Sequence, residues 1–574
     1  MAENSVGPPE FPANCWWELG GCSVRRMGDL PRDRDGRTWW RDGVLYQIYP
    51  RSYMDSNGDG IGDLRGITER LDHLQWLGVD GIWLDPIMVS PNDDWGYDVA
   101  DYVDVDPALG TLADADTLID EASKRGIRVI LDLVPNHTSD RHPWFVDAKS
   151  SRNSRYRDWY VWADPKPDGS VPNNWGMAFD PRVPAWTFDE ASGQYYLNQF
   201  LPSQPDLNWW NEEVRDAFDA ILRFWFDRGV AGFRIDVCHS VIKDRELRDN
   251  PPATPDDHWY VQMMGQRSVY NACRPEVHDV LRRWRKIAES YDPPRVLIGE
   301  TYVLEPEAFA TFYGDGDELN LAFNFMLIHS QFEAPQLRAA IEHAEALLPA
   351  HAWPVWTGGN HDNHRFPTRW CANDPARARA ALVMLMGLRG TPFLYYGDEI
   401  GMIDTDVPAD RILDPVGVFH GPRLGRDDER TPMQWTSENG AGFSPPGVEP
   451  WLPYGDYRSY NVADQRHDPG SALSLTRDLI GLRDALPELR DGAYTTMAAP
   501  NDDVWVWRRG ERTIVACNLS AEAVVVDAAG PGAIRLSTDR ARDGERVEDS
   551  LSLAPWEAVI IWRDGPPRVR LQPD

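Results

Sequence analysis

Four short stretches carry side chains that could do chemistry together: Asp132 with His137, Arg234 with Asp236, Glu300, and His361 with Asp362. In Gly232-Phe233-Arg234-Ile235-Asp236-Val237, read as a strand, Arg234 and Asp236 point the same way, because side chains alternate faces. A guanidinium beside a carboxylate is expected to keep the acid ionised and to fix its direction. An ionised, fixed carboxylate at a strand end is what a covalent nucleophile requires. A structural ion pair is the competing reading of the same two residues. Three carboxylates around one pocket suit acetal hydrolysis. One attacks the anomeric carbon, one protonates the leaving oxygen and one stabilises the cationic transition state.

These residues need a scaffold that brings them to one mouth. A pattern recurs along the chain: amphipathic helix, glycine stop, short apolar strand, then a polar or acidic residue. Strands are expected at 44–49, 81–84, 129–131, 232–237, 296–299, 321–325, 355–357 and 393–396. Strand alternating with helix means parallel strands and right-handed crossovers. Eight of them predict an α/β fold, a (β/α)8 TIM barrel with its chemistry at the C-terminal strand ends. A doubly wound open sheet is the alternative, but no glycine-rich dinucleotide fingerprint follows the first strand.

The domain boundaries follow from shifts in the text. Residues 1–38 are polar and Pro/Gly-rich and read as a partly mobile N-terminal extension. Residues 39–137 form the first part of the barrel. Residues 138–206, rich in Pro, Trp and Asn, are too long for a plain connection and read as a small domain inserted after strand 3. Residues 207–499 complete the barrel. Residues 500–574 show short alternating strands and read as a C-terminal antiparallel β-sandwich with a polar tail.

The net charge of −33 argues against nucleic-acid and anionic-membrane partners. No apolar stretch reaches the length of a membrane span, and no secretory pattern opens the chain. Six Cys in 574 residues are no disulfide framework, and a cytoplasmic location is the default. The 26 Trp suit stacking on sugar rings as well as core filling. Oligomeric state is not legible.

In Asp55-Ser56-Asn57-Gly58-Asp59-Gly60-Ile61-Gly62-Asp63, oxygen ligands alternate and a glycine stands sixth. That suits a hard cation held by Asp55, Asn57, Asp59, the Ile61 carbonyl and Asp63. The twelfth position is Gly66, so this is no sensor EF-hand, and an ordinary Asn/Gly turn is the alternative.

Asp132-Leu133-Val134-Pro135-Asn136-His137, Gly232-Phe233-Arg234-Ile235-Asp236, Gly299-Glu300-Thr301 and Asn360-His361-Asp362 resemble, in order, the four sequence regions of the α-amylase superfamily, glycoside hydrolase family 13. Gln204-Pro205-Asp206-Leu207-Asn208-Trp209 and Arg430-Thr431-Pro432-Met433-Gln434-Trp435 resemble its oligo-1,6-glucosidase and α-glucosidase branch. The similarity runs from about Trp39 into the C-terminal sandwich.

The resemblance implies Asp236 as nucleophile, Glu300 as general acid/base and Asp362 as third carboxylate, with Arg234 holding Asp236. It implies that His137 and His361 bond the reacting sugar and that Tyr97 stacks on it. Asp98 and Arg430 would clamp the non-reducing end, and Phe200 and Gln204 would border the acceptor side. It further implies a structural Ca²⁺, or Mg²⁺, in the 55–63 loop. The expected activity is retaining, exo-acting hydrolysis of short α-glucosides. A transglucosylase or sucrose isomerase on the same scaffold is the alternative. A non-catalytic sugar-binding homologue is disfavoured, because all three carboxylates are present. Val237, after the nucleophile, leans toward α-1,6 linkages, while Cys238-His239-Ser240 and Thr301 depart from the branch pattern and leave linkage open.

Overall fold

A computed structural model of the protein describes residues 37–303 and 305–565. The proposed mobile extension before Arg37, with Cys15 and Cys22, and the last nine residues of the tail lie outside the described residues.

Eight parallel strands close into one barrel. They are β1 (Leu45–Ile48), β2 (Gly81–Leu84), β3 (Arg128–Leu133), β4 (Gly232–Ile235), β5 (Val296–Glu300), β6 (Leu321–Phe323), β7 (Val355–Thr357) and β8 (Thr391–Tyr395). They follow chain order around the ring, and Leu45 on β1 pairs with Phe393 on β8 to shut it. The eight expected strands and the barrel are therefore present.

One unit shows why the sequence folds this way. The helix Glu212–Asp227 starts at Asn211, whose side chain accepts a hydrogen bond from the Glu213 N–H at 2.9 Å. Val214, Phe218, Ile221, Leu222, Trp225 and Phe226 recur at helical spacing and are all buried. Truncating one of the larger, Phe218→Ala, would cost about 3–5 kcal/mol. Gly229, at φ +99°, turns the chain in the left-handed conformation and feeds β4. Gly232 opens β4 because a Cβ there would lie 2.4 Å from the Val296 carbonyl oxygen on β5.

The barrel interior is filled, with Leu45, Trp83, Ile130, Ile298, Phe323, Val355 and Phe393 in one buried cluster. Trp83 caps that filling from below the mouth. Its indole donates to Asp132 at 3.3 Å, and the Arg234 guanidinium lies over its ring at 5.0 Å.

The inserted segment carries a three-stranded antiparallel sheet of Trp162–Ala163, Gln194–Leu197 and Trp186–Asp189 around Trp175, Trp186 and Leu197. Its two ends meet where His137 bridges Asp206. The C-terminal region holds a six-stranded antiparallel sheet and a two-stranded one. Its first strand, Tyr494–Thr496, begins slightly ahead of the expected boundary at 500, because Tyr494 pairs with Arg509 across a hairpin. The C-terminal region rests on the barrel through Trp507, whose indole donates to the Gly387 carbonyl at 3.1 Å. Among the described residues, no helix is long and apolar enough to cross a membrane.

Candidate active site

Strand register builds the charged centre. Asp132 on β3 pairs directly with Arg234 on β4, which pairs with Ile298 on β5, two residues before Glu300. Arg234 is 1% exposed. Its Nη1 donates to Asp132 at 2.9 and 3.0 Å and to Asp236 at 2.9 Å, and its Nη2 lies 2.7 Å from Glu300 Oε2. Glu300 Oε2 also accepts from the Val237 N–H at 2.9 Å. That N–H is aimed by a left-handed backbone at Val237, φ +33°, a conformation β-branched residues avoid. Beneath it Cys238 is a buried free thiol that donates to the Glu300 carbonyl.

The electrostatics differ from the sequence expectation in one respect. Arg234 is shared among three carboxylates, so it does not by itself hold Asp236 low. Burial and the adjacent Glu300 carboxylate push the Asp236 carboxyl well up against the pull of Arg234, and the two acids lie in hydrogen-bonding reach of each other. Such a pair holds one proton between its members. Asp132 is raised to about 7 by burial, opposed by Arg234. Asp362 goes the other way. Burial raises it, but His361, Arg426 and Arg430 outweigh burial and hold it below the ordinary carboxylate range.

Asp362 accepts from Arg430 and Arg426, each at 3.0 Å, and lies 3.2 Å from His361 Nε2. Gln47 Nε2 spends one proton on Asp85 at 2.8 Å and faces His361 Nδ1 at 2.7 Å. His361 Nδ1 therefore accepts, and its proton sits on Nε2. Tyr97 stacks on the His361 ring at 5.3 Å, and its hydroxyl donates to Asp132 at 2.9 Å. His137 is buried with its nitrogens turned to protein. Nε2 donates to the Tyr97 carbonyl at 2.9 Å, and Nδ1 faces the Asn136 amide at 3.1 Å.

One expected contact needs correction. Asp98 does not reach Arg430. It is fully buried and accepts from the Ser90 hydroxyl and the Asp93 and Asp94 N–H groups, locking the tight turn through Trp95 and Gly96. The residue that meets an arginine is Asp94, at 2.8 Å from Arg426 Nη2. Arg426 thus joins Asp94 to Asp362, while Arg430 bonds Asp362 and the His361 carbonyl. Gln204 and Phe200 lie beside this pair. Gln204 is fully buried and donates to Asp94 at 3.0 Å. Phe200 packs on His137 at 5.2 Å and on Phe179, over which Arg426 lies. Beside Glu300 stand Tyr260 and Tyr302, with rings 5.0 Å apart. Burial raises both phenols, with Glu300 adding to it at Tyr260, and Tyr260 and then Glu300 adding to it at Tyr302.

In the 55–63 loop, Asp55 accepts from the Gly58 and Gly60 N–H groups at 2.6 and 2.9 Å and from Ser444 at 2.6 Å. Asn57 accepts from the Asp59 N–H and Asp59 from the Ile61 N–H, both at 2.9 Å. Asp63 accepts from Ser56 and caps the next helix through the Gly66 N–H at 2.8 Å. The donor set is all oxygen and fits a hard cation. Asp55, Asp59 and Asp63 are not gathered within 4.8 Å; among the described residues only His364, Asp404 and Glu429 are.

A closed barrel with Asp236 following β4, Glu300 ending β5 and Asp362 following β7 is the scaffold of a glycoside hydrolase. The sequence model described as the alpha amylase catalytic domain matches residues 47–492. The chain belongs to this α-amylase family, glycoside hydrolase family 13. A probable alpha-glucosidase of Rhizobium meliloti is 43% identical over 81% of this chain and 85% of its own. An oligo-1,6-glucosidase of Heyndrickxia coagulans is 38% identical over 85% and 93%. Among solved structures, the alpha-glucosyl transfer enzyme XgtA is 38% identical, with a TM-score of 0.85 over 91% of this chain and 99% of that one.

Proposed function

We propose that the protein is a retaining, exo-acting α-glucosidase for short α-glucosides. The observation that carries this is the single guanidinium of Arg234, which holds Asp236 on one nitrogen and Glu300 on another. An arrangement of this kind suits the narrow carboxylate spacing that retention requires. Asp236 attacks the anomeric carbon while Glu300 gives its proton to the leaving oxygen. Glu300 then takes a proton from water, and the water oxygen displaces Asp236 from the sugar. Asp362, fixed by Arg426 and Arg430, receives sugar hydroxyls and stabilises positive charge at the ring. Asp94 and Arg426 close the end of the pocket, so one terminal sugar enters.

The test is product analysis on maltose, isomaltose, sucrose and trehalose, with an Asp236→Ala control. Glucose released first as the α-anomer supports the reading. The β-anomer first, or cleavage inside longer chains, removes it. Transfer to a second sugar is the competing outcome. It is favoured by the likeness to a glucosyl-transfer enzyme and by Tyr260 and Tyr302 beside Glu300, where an acceptor could stack in place of water. New oligosaccharides exceeding free glucose at high substrate would make transfer the main activity.

A hard divalent cation, calcium or magnesium, belongs to this reading. Asp55, Asn57, Asp59, the Ile61 carbonyl and Asp63 would hold it, and its role would be to brace the loop. A cytoplasmic location is likewise part of it, supported by four free cysteines, and cell fractionation tests it.

A further inference from the structure

We propose that His364, Asp404 and Glu429 form a second metal site, of different chemistry from the 55–63 loop, for a borderline divalent cation such as Zn²⁺. Their ligand atoms all lie within 4.8 Å of one another. His364 Nδ1 is 3.0 Å from Asp404 Oδ2 and 3.3 Å from Glu429 Oε2. Ligands about 2.0–2.2 Å from a zinc ion are about 3.0–3.5 Å apart at octahedral to tetrahedral angles, so these separations are those of a coordination edge.

The hydrogen bonding points the same way. Glu429 is 1% exposed, yet its Oε2 has no well-aligned hydrogen-bond donor. Nor does Nδ1 of His364 make a well-aligned hydrogen bond, although two carboxylate oxygens lie beside it. Without a metal, loose hydrogen bonding to Asp404 and Glu429 pushes His364 up to about 11, so a cation entering the cluster would displace that proton. A cation at the centre would satisfy all three groups at once. Among the described residues, no Lys or Arg side chain pairs with Asp404 or Glu429. One imidazole with two carboxylates suits a borderline metal, and neither calcium nor magnesium favours a nitrogen ligand.

The supporting groups are in place. Asp404 Oδ1 accepts from the Arg365 N–H at 2.9 Å, which turns Oδ2 toward His364. The Glu429 carbonyl accepts from Arg365 Nη2 at 2.9 Å and from the Tyr395 hydroxyl at 3.2 Å, which fixes the backbone carrying that carboxylate. His364 lies two residues beyond Asp362, and Glu429 immediately precedes Arg430, which bonds Asp362. The ion would fasten together the two segments that carry Asp362 and its arginine. This does not depend on which sugar is cleaved.

Cobalt separates this site from the loop, because Co²⁺ held in low coordination by an imidazole and two carboxylates absorbs far more strongly in the visible than the six-coordinate, all-oxygen ion the loop would hold, and the intense band is the one followed. The full-length, tag-free protein is stripped with a chelator, supplied with excess Ca²⁺, and titrated with Co²⁺. The expected result is one equivalent of Co²⁺ with visible d–d absorption, displaced by Zn²⁺. His364→Ala and Glu429→Gln should each weaken Zn²⁺ binding by at least about ten-fold. Asp59→Ala, in the loop, should leave the band intact. Glu429→Gln is isosteric and serves if His364→Ala fails to fold. Absence of a cobalt band in the wild type, or an equal band in both variants, would overturn the site and leave an ion triad.

Discussion

Arg426 and Asp94 meet at 2.8 Å, and the same arginine reaches Asp362 at 3.0 Å. Asp94, Arg426 and Asp362 are therefore one hydrogen-bonded unit. Removing one partner of a buried charge pair costs about 2–5 kcal/mol. Asp94→Ala and Arg426→Ala should accordingly lower kcat/KM on disaccharides by roughly 30-fold to a few thousand-fold. Asp98→Asn keeps the oxygen that accepts from Ser90 and the Asp94 N–H and loses the bond from the Asp93 N–H, so it should lower kcat/KM less than Asp94→Ala does. Steady-state kinetics on the three variants decides this. A larger loss for Asp98→Asn than for Asp94→Ala would return Asp98 to the sugar clamp.

The misplacement of Asp98 shows where sequence reading stops. Asp94 and Asp98 are four residues apart, and so are Arg426 and Arg430. Spacing alone cannot say which acid meets which base. The turn decides it, because Asp98 is consumed by N–H groups that only the folded loop presents. The barrel was legible because helix, glycine stop and apolar strand recur before the strands at 81, 129, 232 and 393, and four further apolar strands complete the series. Arg234, Asp236 and Glu300 were legible because register follows from strand alternation. Gln47 was not, since a glutamine in an apolar strand carries no local sign that it will orient a histidine more than 300 residues away. The sharing of Arg234 among three acids was hidden for the same reason. It depends on Asp132 arriving from another strand.

Asp236→Ala should lose at least about 10⁴-fold in kcat while keeping the fold, as removal of a covalent nucleophile does. The new gap is small and beside polar groups, so near-native circular dichroism is expected together with the loss. Activity within ten-fold of wild type would remove Asp236 from the nucleophile role.

Glu300→Gln addresses the proton. The Asp236–Glu300 pair is active with one proton bound. The pair titrates in two steps and only its singly protonated form turns over, so kcat/KM should be bell-shaped. Glutamine cannot ionise, so the alkaline limb should vanish in the variant. Burial and Glu300 together raise Asp236. With the Glu300 charge gone, Asp236 should ionise more readily, and the acid limb should move to lower pH. The variant should lose far more on maltose than on an activated aryl glucoside, which needs less acid assistance. An unchanged alkaline limb would assign it to another group.

Calcium in the 55–63 loop should act on stability more than on chemistry. The loop docks on residues 444–451. Ser444 donates to Asp55, the Trp451 N–H donates to the Gly60 carbonyl at 2.9 Å, and a Cβ at Gly60 would collide with the Glu449 carbonyl. Trp451 in turn stacks on Tyr49 at 5.9 Å, and Tyr49 on His361 at 6.2 Å. An ion that binds only the folded loop stabilises by mass action, about 2.7 kcal/mol at one hundred times Kd. Chelation should therefore lower Tm by several degrees and Ca²⁺ should restore it, with Asp59→Ala abolishing the response and His364→Ala preserving it. A melting curve indifferent to chelator and to added Ca²⁺ would leave the segment as a turn closed by its own backbone, because each of its acids already has an N–H to accept from.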